Sequence, residues 1–399
     1  MLEKIKRFDF FAFAATVALV ALGTVVLYSA GHARAEAVFH GKWLDNLLTA
    51  VVGFGAYFAL AFTDYRKALP LAAIPAYLGA LVLLVAVLGL GSSVYGGRRW
   101  LWFFQPSEIS KLCVIGLLAA LFGSPRTDSA DFRFGLRGLL LAGALIGVPV
   151  LLILAEPDLG TALTLLPAAL VMLLVAGVWR RGLAVLVAAA ALGVLALLGA
   201  VYEAEKPGVP MARREAILRF VPLREHQLRR VKVFLFPEDD VRGAGYNLRQ
   251  ALIAIGSGGF AGKGLGKGEA SHLKYLPPSV SMNDFIFCVY AEETGFVGSL
   301  ALLALYGTLL LLGCRAAFVA TDGRGRLLAI GVSTLLFAHI YVNIAMSVGI
   351  VPITGLPLPF VSAGRTFLVT ALCALGLVQS VCVHRGEAFA GAGVSELNA

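Results

Sequence analysis

The amino-acid sequence predicts an all-α polytopic integral membrane protein with ten transmembrane helices. Three observations support this prediction. Of the 399 residues 59% are hydrophobic. Only 14% are charged, whereas a soluble globular domain has roughly 25% charged residues. Apolar stretches long enough to cross a bilayer, at about 20 residues each, recur along the whole chain. They lie at 10–30, 44–62, 69–91, 106–122, 138–154, 159–178, 182–202, 284–313, 327–351 and 366–383.

The first apolar stretch is interpreted as a retained helix. Lys4, Lys6 and Arg7 precede it, and Ala33 and Ala35 imitate a signal-peptide cleavage site. The apolar run is too long for a signal peptide, however, and further spans follow it.

The distribution of Lys and Arg predicts that both termini are cytoplasmic. Short connections on the side of the N-terminus carry more Lys and Arg than the short outer connections, and this bias is typical of cytoplasmic loops. The exception is the basic stretch 203–283, which is predicted to be one large extracytoplasmic loop between helices 7 and 8. Loops longer than about 60 residues do not follow the bias. The chain, 1–399, is interpreted as a single membrane domain that carries this loop.

The long loop has two distinct parts. In residues 211–236 arginines alternate with apolar residues near helical spacing, which predicts a helix in the headgroup layer, divided at Pro222. Residues 245–256 predict a short amphipathic helix, and a glycine-rich segment, 257–268, follows it. Its spacing fits neither a Walker phosphate loop nor a dinucleotide fingerprint. Two interpretations remain open: a flexible backbone that brings Lys263 close to a phosphate, and a plain hinge.

The outer connection GGRRWLWFFQPSEISK carries charges that an aromatic belt does not explain. Arg98 and Arg99 precede two tryptophans that can anchor at the interface, which leaves two guanidinium groups for a phosphate. Glu108 and Lys111 lie three residues apart on one face of the helix that follows. Ionisable groups inside a span usually face a cavity or each other. A structural ion pair and a functional pair are both consistent with this spacing.

Asp284 is the strongest candidate for chemistry. It is predicted to lie at the outer mouth of a membrane helix, opposite the basic loop, where a carboxylate can act on an anionic, lipid-attached substrate. The alternative is an acidic residue that merely favours the helix N-terminus. Glu292 lies about 12 Å further along the helix by its rise. Glu292 and Glu293 are expected to line an outward-opening cavity, with hydrogen bonds to groups such as Asn343 as the alternative.

Residues 352–365 are predicted to form a re-entrant outer loop. Three prolines and a glycine in this stretch prevent a continuous helix. An irregular apolar backbone between two spans is tolerated where it lines a cavity.

Six motifs occur in order along the chain. They are YSAG, GGRRWLWFFQPSEISK, EPDLGTAL, GYNLRQALIAIGSGGFAGKGLGKG, DFIFCVYAEETGFVG and PITGLPLPFVSAG. Together they resemble the SEDS family (shape, elongation, division and sporulation), the RodA and FtsW polytopic glycosyltransferases of bacterial wall synthesis. The resemblance covers nearly the whole chain. PITGLPLPF is closer to RodA than to FtsW, which typically has a lysine and a threonine there.

The resemblance implies a peptidoglycan glycosyltransferase of the bacterial plasma membrane. It would polymerise lipid II at the outer face, with inversion and with undecaprenyl pyrophosphate as the leaving group, for cell-shape maintenance and elongation. Asp284 is assigned as the catalytic base. The substrate-binding residues assigned with it are Arg98, Arg99, Gln105, Glu108, Lys111, Lys263 and Arg365.

The implied partners are a class B penicillin-binding protein, which is a transpeptidase, and membrane lipids, with no nucleic acid. No metal site is assigned, because one carboxylate is too little to hold an ion. A divalent cation such as Mg²⁺ between Asp284 and the pyrophosphate is the alternative. The competing functions are a lipid II flippase, a division-specific polymerase of the FtsW type, and a scaffold for the transpeptidase.

Two stretches depart from the family pattern. The run 276–283 before Asp284 lacks the expected glutamate and histidine and is two residues longer. Residues 363–367 replace the usual Tyr-Gly-Gly-Ser-Ser. The local geometry of the outer cavity is therefore expected to differ.

Overall fold

The structure is a computed structural model that describes the chain in twelve stretches. They are residues 2–32, 40–94, 97–102, 104–124, 135–156, 158–206, 208–221, 223, 225–240, 243–269, 277 and 280–386.

Long helices dominate the described residues. The helices before the long loop are α1 Leu2–Lys6, α2 Phe10–His32, α3 Lys42–Phe62, α4 Tyr65–Leu90, α5 Pro106–Phe122, α6 Leu136–Ala155, α7 Leu159–Ala176 and α8 Arg180–Glu205. The loop contains α9 Met211–Leu218, α10 Glu225–Leu235 and α11 Ala244–Ser257. The chain continues with α12 Ile286–Val319, α13 Gly323–Ser347 and α14 Arg365–Val383.

The prediction of a polytopic all-α membrane protein is confirmed. Within the described ranges nine helices are long and apolar enough to cross a membrane. The one predicted span that is not among these nine is 106–122, which corresponds to α5 and has 17 residues. The boundaries differ most at α12, which begins after Asp284 and continues six residues beyond the predicted end at 313.

The two ends of the described chain meet at one side of the bundle. The Arg7 guanidinium donates to the carbonyl of Arg385 at 2.6 Å, and the Lys4 ammonium lies 3.0 Å from His384 Nε2. An even number of crossings explains this meeting. That the shared side is cytoplasmic stays a prediction from the Lys and Arg distribution.

A small hairpin follows α4 on the other side. β1 (Ser92–Val94) pairs antiparallel with β2 (Gly97–Trp100). The sequence pattern did not predict a strand here. The hairpin fixes the backbone of Arg99 next to the start of α5, where Pro106 occupies the first turn.

Helix α12 is broken at Gly295, which has a positive φ of 68°. The break leaves backbone groups without helical partners, and the glycine-rich segment supplies new ones. Lys263 N donates to Glu292 O at 3.0 Å, and Phe296 N donates to Gly259 O at 2.9 Å. A break in a membrane helix is tolerated when neighbouring backbone satisfies the freed groups. The glycine-rich segment is therefore packed against the break in α12, and its two predicted roles, a phosphate-binding loop and a hinge, stay predictions.

Candidate active site

Asp284 is held by its backbone rather than by its side chain. It ends a π-helical turn, Val280–Asp284, immediately before α12. The fully buried Asn343 of α13 donates to the carbonyl of Asp284 at 2.9 Å and to the carbonyl of Leu356 at 2.6 Å. The same amide thus joins the turn to the proline-rich segment.

The proline-rich segment clamps the turn from the other side. Ala363 N donates to Met282 O at 3.0 Å, and the Ser362 hydroxyl donates to Asn283 O at 2.6 Å. The same hydroxyl accepts from Leu358 N at 2.8 Å. Residues 351–364 contain no helix, so their free backbone groups and hydroxyls are available for these contacts.

The Asp284 carboxylate is accessible to a ligand. Its side chain is partly exposed, and among the described residues it takes part in no hydrogen bond or salt bridge. Gly355 lies beside it in a left-handed conformation with φ 77°, and a Cβ there would come within 3.5 Å of Asp284 Oδ2. Burial raises the pKa of Asp284 to about 6, although the nearby charges of Arg230 and Arg99 oppose the rise. A carboxylate with such a pKa is well matched to accept a proton near neutral pH.

Arg230 is the cation that sequence reasoning did not single out. It belongs to α10 and donates to the carbonyl of Thr354 at 2.9 Å. Its pKa is lowered by burial and by the charge of Arg99, and Asp284 and Asp158 oppose this. The sequence indicated a basic amphipathic segment here. Helical spacing alone did not identify which of its arginines reaches the site.

Two acidic residues, Asp158 and Glu156, lie near the two arginines. Asp158 caps α7 by accepting from Thr161 N at 3.2 Å, and it also accepts from the Gln105 amide at 2.9 Å. Glu156 is fully buried, and neither of its carboxylate oxygens has a hydrogen-bond partner among the residues that the structure describes. Burial and the charge of Asp158 raise the pKa of Glu156 to about 8, while Arg99 opposes them. The site therefore favours the protonated form of Glu156.

Glu108 and Lys111 form the ion pair that their spacing predicts. Lys111 Nζ lies 2.9 Å from Glu108 Oε2, and both side chains are at most 4% exposed. The ammonium also donates to His339 Nε2 at 2.7 Å and lies over the ring of Phe367. The charge of Asp158 acts on Glu108, which connects this buried cluster to the arginine site.

Lys263 and the two glutamates of α12 form a separate group. Lys263 Nζ lies 2.8 Å from Glu292 Oε1 and 3.4 Å from Glu269 Oε1. Glu293 accepts from the Ser29 hydroxyl at 2.6 Å. Both α12 glutamates are at most 2% exposed, so the prediction that they line an outward-opening cavity is wrong. The alternative, interhelical hydrogen bonding, holds for Glu293 and Ser29 of α2, although Asn343 is not the partner. Lys263 pairs with Glu292 and Glu269, and its role in phosphate binding stays a prediction.

The remaining two predicted arginines are Arg365 and Arg98. Arg365 is 62% exposed and pairs with Asp45 of α3 at 2.7 Å. The side chain of Arg98 and the atypical residues 276, 278 and 279 lie outside the described residues.

The geometry thus assembles one outer site in which a partly exposed carboxylate faces two arginines. Of the predicted residues, the structure groups Asp284, Arg99, Gln105, Glu108 and Lys111, and it adds Arg230, Glu156, Asp158 and His339.

Comparison with known proteins identifies the family of the chain. The model of the cell cycle protein family FtsW, RodA and SpoVE matches residues 10–387. A probable peptidoglycan glycosyltransferase FtsW of Geobacter sp. (strain M18) is 32% identical over 397 residues, covering 97% of this chain and 100% of the relative. The peptidoglycan glycosyltransferase MrdB of Escherichia coli (strain K12) is 38% identical over 314 residues, or 77% of each chain.

Solved structures show the same fold. A chain from a peptidoglycan synthase complex, described as coordinating polymerization and crosslinking, superposes with a TM-score of 0.72 at 30% identity, covering 96% of this chain and 99% of that one. The rod shape determining protein RodA of Thermus thermophilus gives 0.65 at 28% identity, covering 96% and 98%. The relatives carry both FtsW and RodA names, and the preference for RodA stays a prediction. The chain belongs to the SEDS family of FtsW and RodA proteins.

Proposed function

We propose that this protein is a peptidoglycan glycosyltransferase that polymerises lipid II at the outer face of the bacterial plasma membrane. The observation that supports this most is the unpartnered Asp284 carboxylate beside two arginines. A base and fixed cations at one outer site suit a sugar donor that carries a pyrophosphate.

Asp284 acts as general base in this proposal. The 4-hydroxyl of one disaccharide attacks the anomeric carbon of another, and its proton passes to the Asp284 carboxylate. A hydroxyl is a weak nucleophile, so a positioned base contributes typically about 10²- to 10⁴-fold to the rate. The new bond is glycosidic, and the bond that breaks joins the anomeric carbon to the pyrophosphate oxygen.

Arg99 and Arg230 stabilise the departing pyrophosphate. Negative charge develops on the leaving oxygen as the bond breaks, and guanidinium groups already held in place stabilise that charge without reorganisation. Planar guanidinium groups also suit phosphate geometry. Three further polar residues support the site from below the arginines: Gln105, Glu108 and Lys111. Gln105 donates to Asp158, and the charge of Asp158 acts on both Glu108 and Arg230.

No step is assigned to a metal ion. Among the described residues no three His, Cys, Asp or Glu side chains converge to hold one. The oxygens of Asp158 already accept hydrogen bonds from Thr161 and Gln105.

Two finer assignments belong to this proposal. The PITGLPLPF motif favours a role in cell elongation. The likeness to a chain of a synthase complex that couples polymerization with crosslinking supports a transpeptidase partner, of the class B penicillin-binding type.

The test is reconstitution with lipid II. The purified protein, alone and with candidate transpeptidases, is given lipid II in vesicles, and the products are separated by size. Wild type is compared with Asp284→Ala and with Glu238→Ala, whose side chain is 87% exposed in the outer loop. We expect glycan chains from wild type and Glu238→Ala and none from Asp284→Ala.

Two results would contradict the proposal. Glycan from Asp284→Ala at the wild-type rate removes Asp284 from its role as base. Transfer of lipid II between leaflets without glycan, in the presence of every partner, identifies a flippase instead.

A further inference from the structure

Helix α8 is the span with the fewest packed residues. Only 6% of the residues in its most apolar stretch are buried. In the other candidate spans within the described residues, 22% or more of the corresponding residues are buried. A helix with so few buried residues gains little from packing and is free to shift in the lipid. What holds its outer end therefore has a large influence on its position.

Glu205, the last residue of α8, holds that end to two loop helices at once. Its Oε1 accepts from Arg214 of α9 at 2.6 Å, and its Oε2 lies 2.8 Å from Lys232 of α10. The Glu205 side chain is only 4% exposed, so solvent and salt screen these charge-assisted contacts weakly. One turn earlier, Tyr202 stacks on Phe236 just after α10, with ring centroids 5.6 Å apart.

Helix α10 extends from this junction to the active site. Lys232 and Arg230 are two residues apart on it, so they point in different directions. Lys232 reaches Glu205, while Arg230 reaches Thr354 and acts on Asp284. The position of Arg230 thus depends on a short helix that is also tied to the end of α8 through Lys232.

We propose that Glu205 is a positioning residue that ties α8 to α10 and so sets the distance between Arg230 and Asp284. The inference rests on the proposed function only for its catalytic consequence. A displacement of α8 at its outer end moves Arg230, and the site is complete only while the junction holds. Loss of the junction leaves Asp284 with Arg99 as its remaining described cation.

The test compares Glu205→Gln with a matched neighbour. Glu203→Gln removes an acid from the same helix end, but Glu203 is 53% exposed, and among the described residues its salt bridge is to Lys206. Deuterium uptake at backbone amides is measured for peptides within 208–240. We expect faster uptake over 225–235 in Glu205→Gln and wild-type uptake in Glu203→Gln. Equal uptake in all three proteins overturns the coupling, and this result does not depend on enzymatic activity.

The catalytic consequence is tested with a double variant. We expect Glu205→Gln to lower kcat by about tenfold, as expected for a misplaced catalytic group, with a smaller change in KM. We also expect it to move the acid limb of the pH–rate profile to higher pH, and we expect the same shift from Arg230→Gln, because the charge of Arg230 lowers the pKa of Asp284. In the Arg230→Gln background, Glu205→Gln is expected to add no further loss.

Two further measurements distinguish failure of the Glu205 proposal from failure of the proposed function. If Glu205→Gln lowers kcat equally in both backgrounds, Glu205 does not act through Arg230 and the proposal fails. If the wild-type protein forms no glycan with any partner, the proposed function fails, while the deuterium measurement still decides the coupling. Melting temperatures of all variants separate a loss of folding from a loss of positioning.

Discussion

Two carboxylates of one stretch of chain, Asp284 and Glu292, have opposite environments. Glu292 is 1% exposed, and Lys263 Nζ lies 2.8 Å from it while Glu269 N donates at 2.9 Å. Asp284 is partly exposed and takes part in no side-chain hydrogen bond or salt bridge among the described residues. A buried charge whose bonds are satisfied by the protein is costly to unpair. A carboxylate held by its backbone and left unpaired is available to a substrate. The comparison therefore separates a structural acid from the one proposed as catalytic, although Asp284 immediately precedes the helix that contains Glu292.

The largest effect is expected from the two isosteric amides. Asp284→Asn is expected to reduce polymerisation by about 10²- to 10⁴-fold, because the amide cannot accept the proton. Glu292→Gln keeps its shape and most of its hydrogen bonds and is expected to retain most activity. The measurement is glycan formation from lipid II. Comparable losses in both variants would show that the two acids are not functionally distinct.

Asp284→Asn is expected to reduce activity without reducing stability. The folded-state pKa of Asp284, about 6, lies above its ordinary value, so folding favours the protonated form and the ionised form costs stability above that pH. Asp284→Asn is therefore expected to melt at an equal or higher temperature than wild type at pH 8. A clear decrease in melting temperature would argue that the loss of activity reflects misfolding.

A substitution at Gly295 tests whether the glycine-rich segment packs against the break in α12. Its φ of 68° disfavours any side chain, and a Cβ there would overlap the backbone of Gly262. Gly295→Ala is expected to lower the free energy of unfolding by about 3 kcal/mol. Gly307→Ala, in the same helix with open space around it, is the control. Thermal melting in detergent compares the two, and similar melting temperatures would contradict the packed role of the glycine-rich segment.

The Glu292 ion pair is expected to contribute less. Glu292→Ala leaves Lys263 beside Glu269 and removes an acceptor from Glu269 N, and we expect a loss of about 2 kcal/mol. Lys263→Met is expected to cost at least as much, since it leaves the buried Glu292 carboxylate without its cation. The melting temperatures decide this order. A larger loss of activity than of stability in Lys263→Met would support Lys263 as a substrate-binding residue.

The smallest effect is expected in the pH dependence. Because the base must be ionised, activity is expected to fall as pH decreases through about 6, the pKa of Asp284. Arg99 opposes the rise of this pKa, so Arg99→Gln is expected to move the acid limb to higher pH. Arg229→Gln, an exposed neighbour of Arg230, is expected to leave it in place. An unchanged limb in Arg99→Gln would place that arginine too far from Asp284 to act on it.

Local patterns determined much of this molecule. Apolar runs of bilayer length predicted the membrane helices, because an isolated span must satisfy its backbone within itself whatever its neighbours are. The spacing of Glu108 and Lys111 predicted their contact, since residues three apart share a helix face. The position of Asp284 between a basic loop and an apolar span indicated the reacting carboxylate.

The tertiary structure decided which charges meet. Sequence reasoning assigned Lys263 to the substrate and did not single out Arg230, and only the fold places Lys263 on Glu292 and Arg230 beside Asp284. The kink at Gly295 likewise turned a predicted cavity wall into a buried contact. Such outcomes depend on which distant backbone satisfies a broken helix. That is set by packing between segments far apart in sequence, and no local pattern records it.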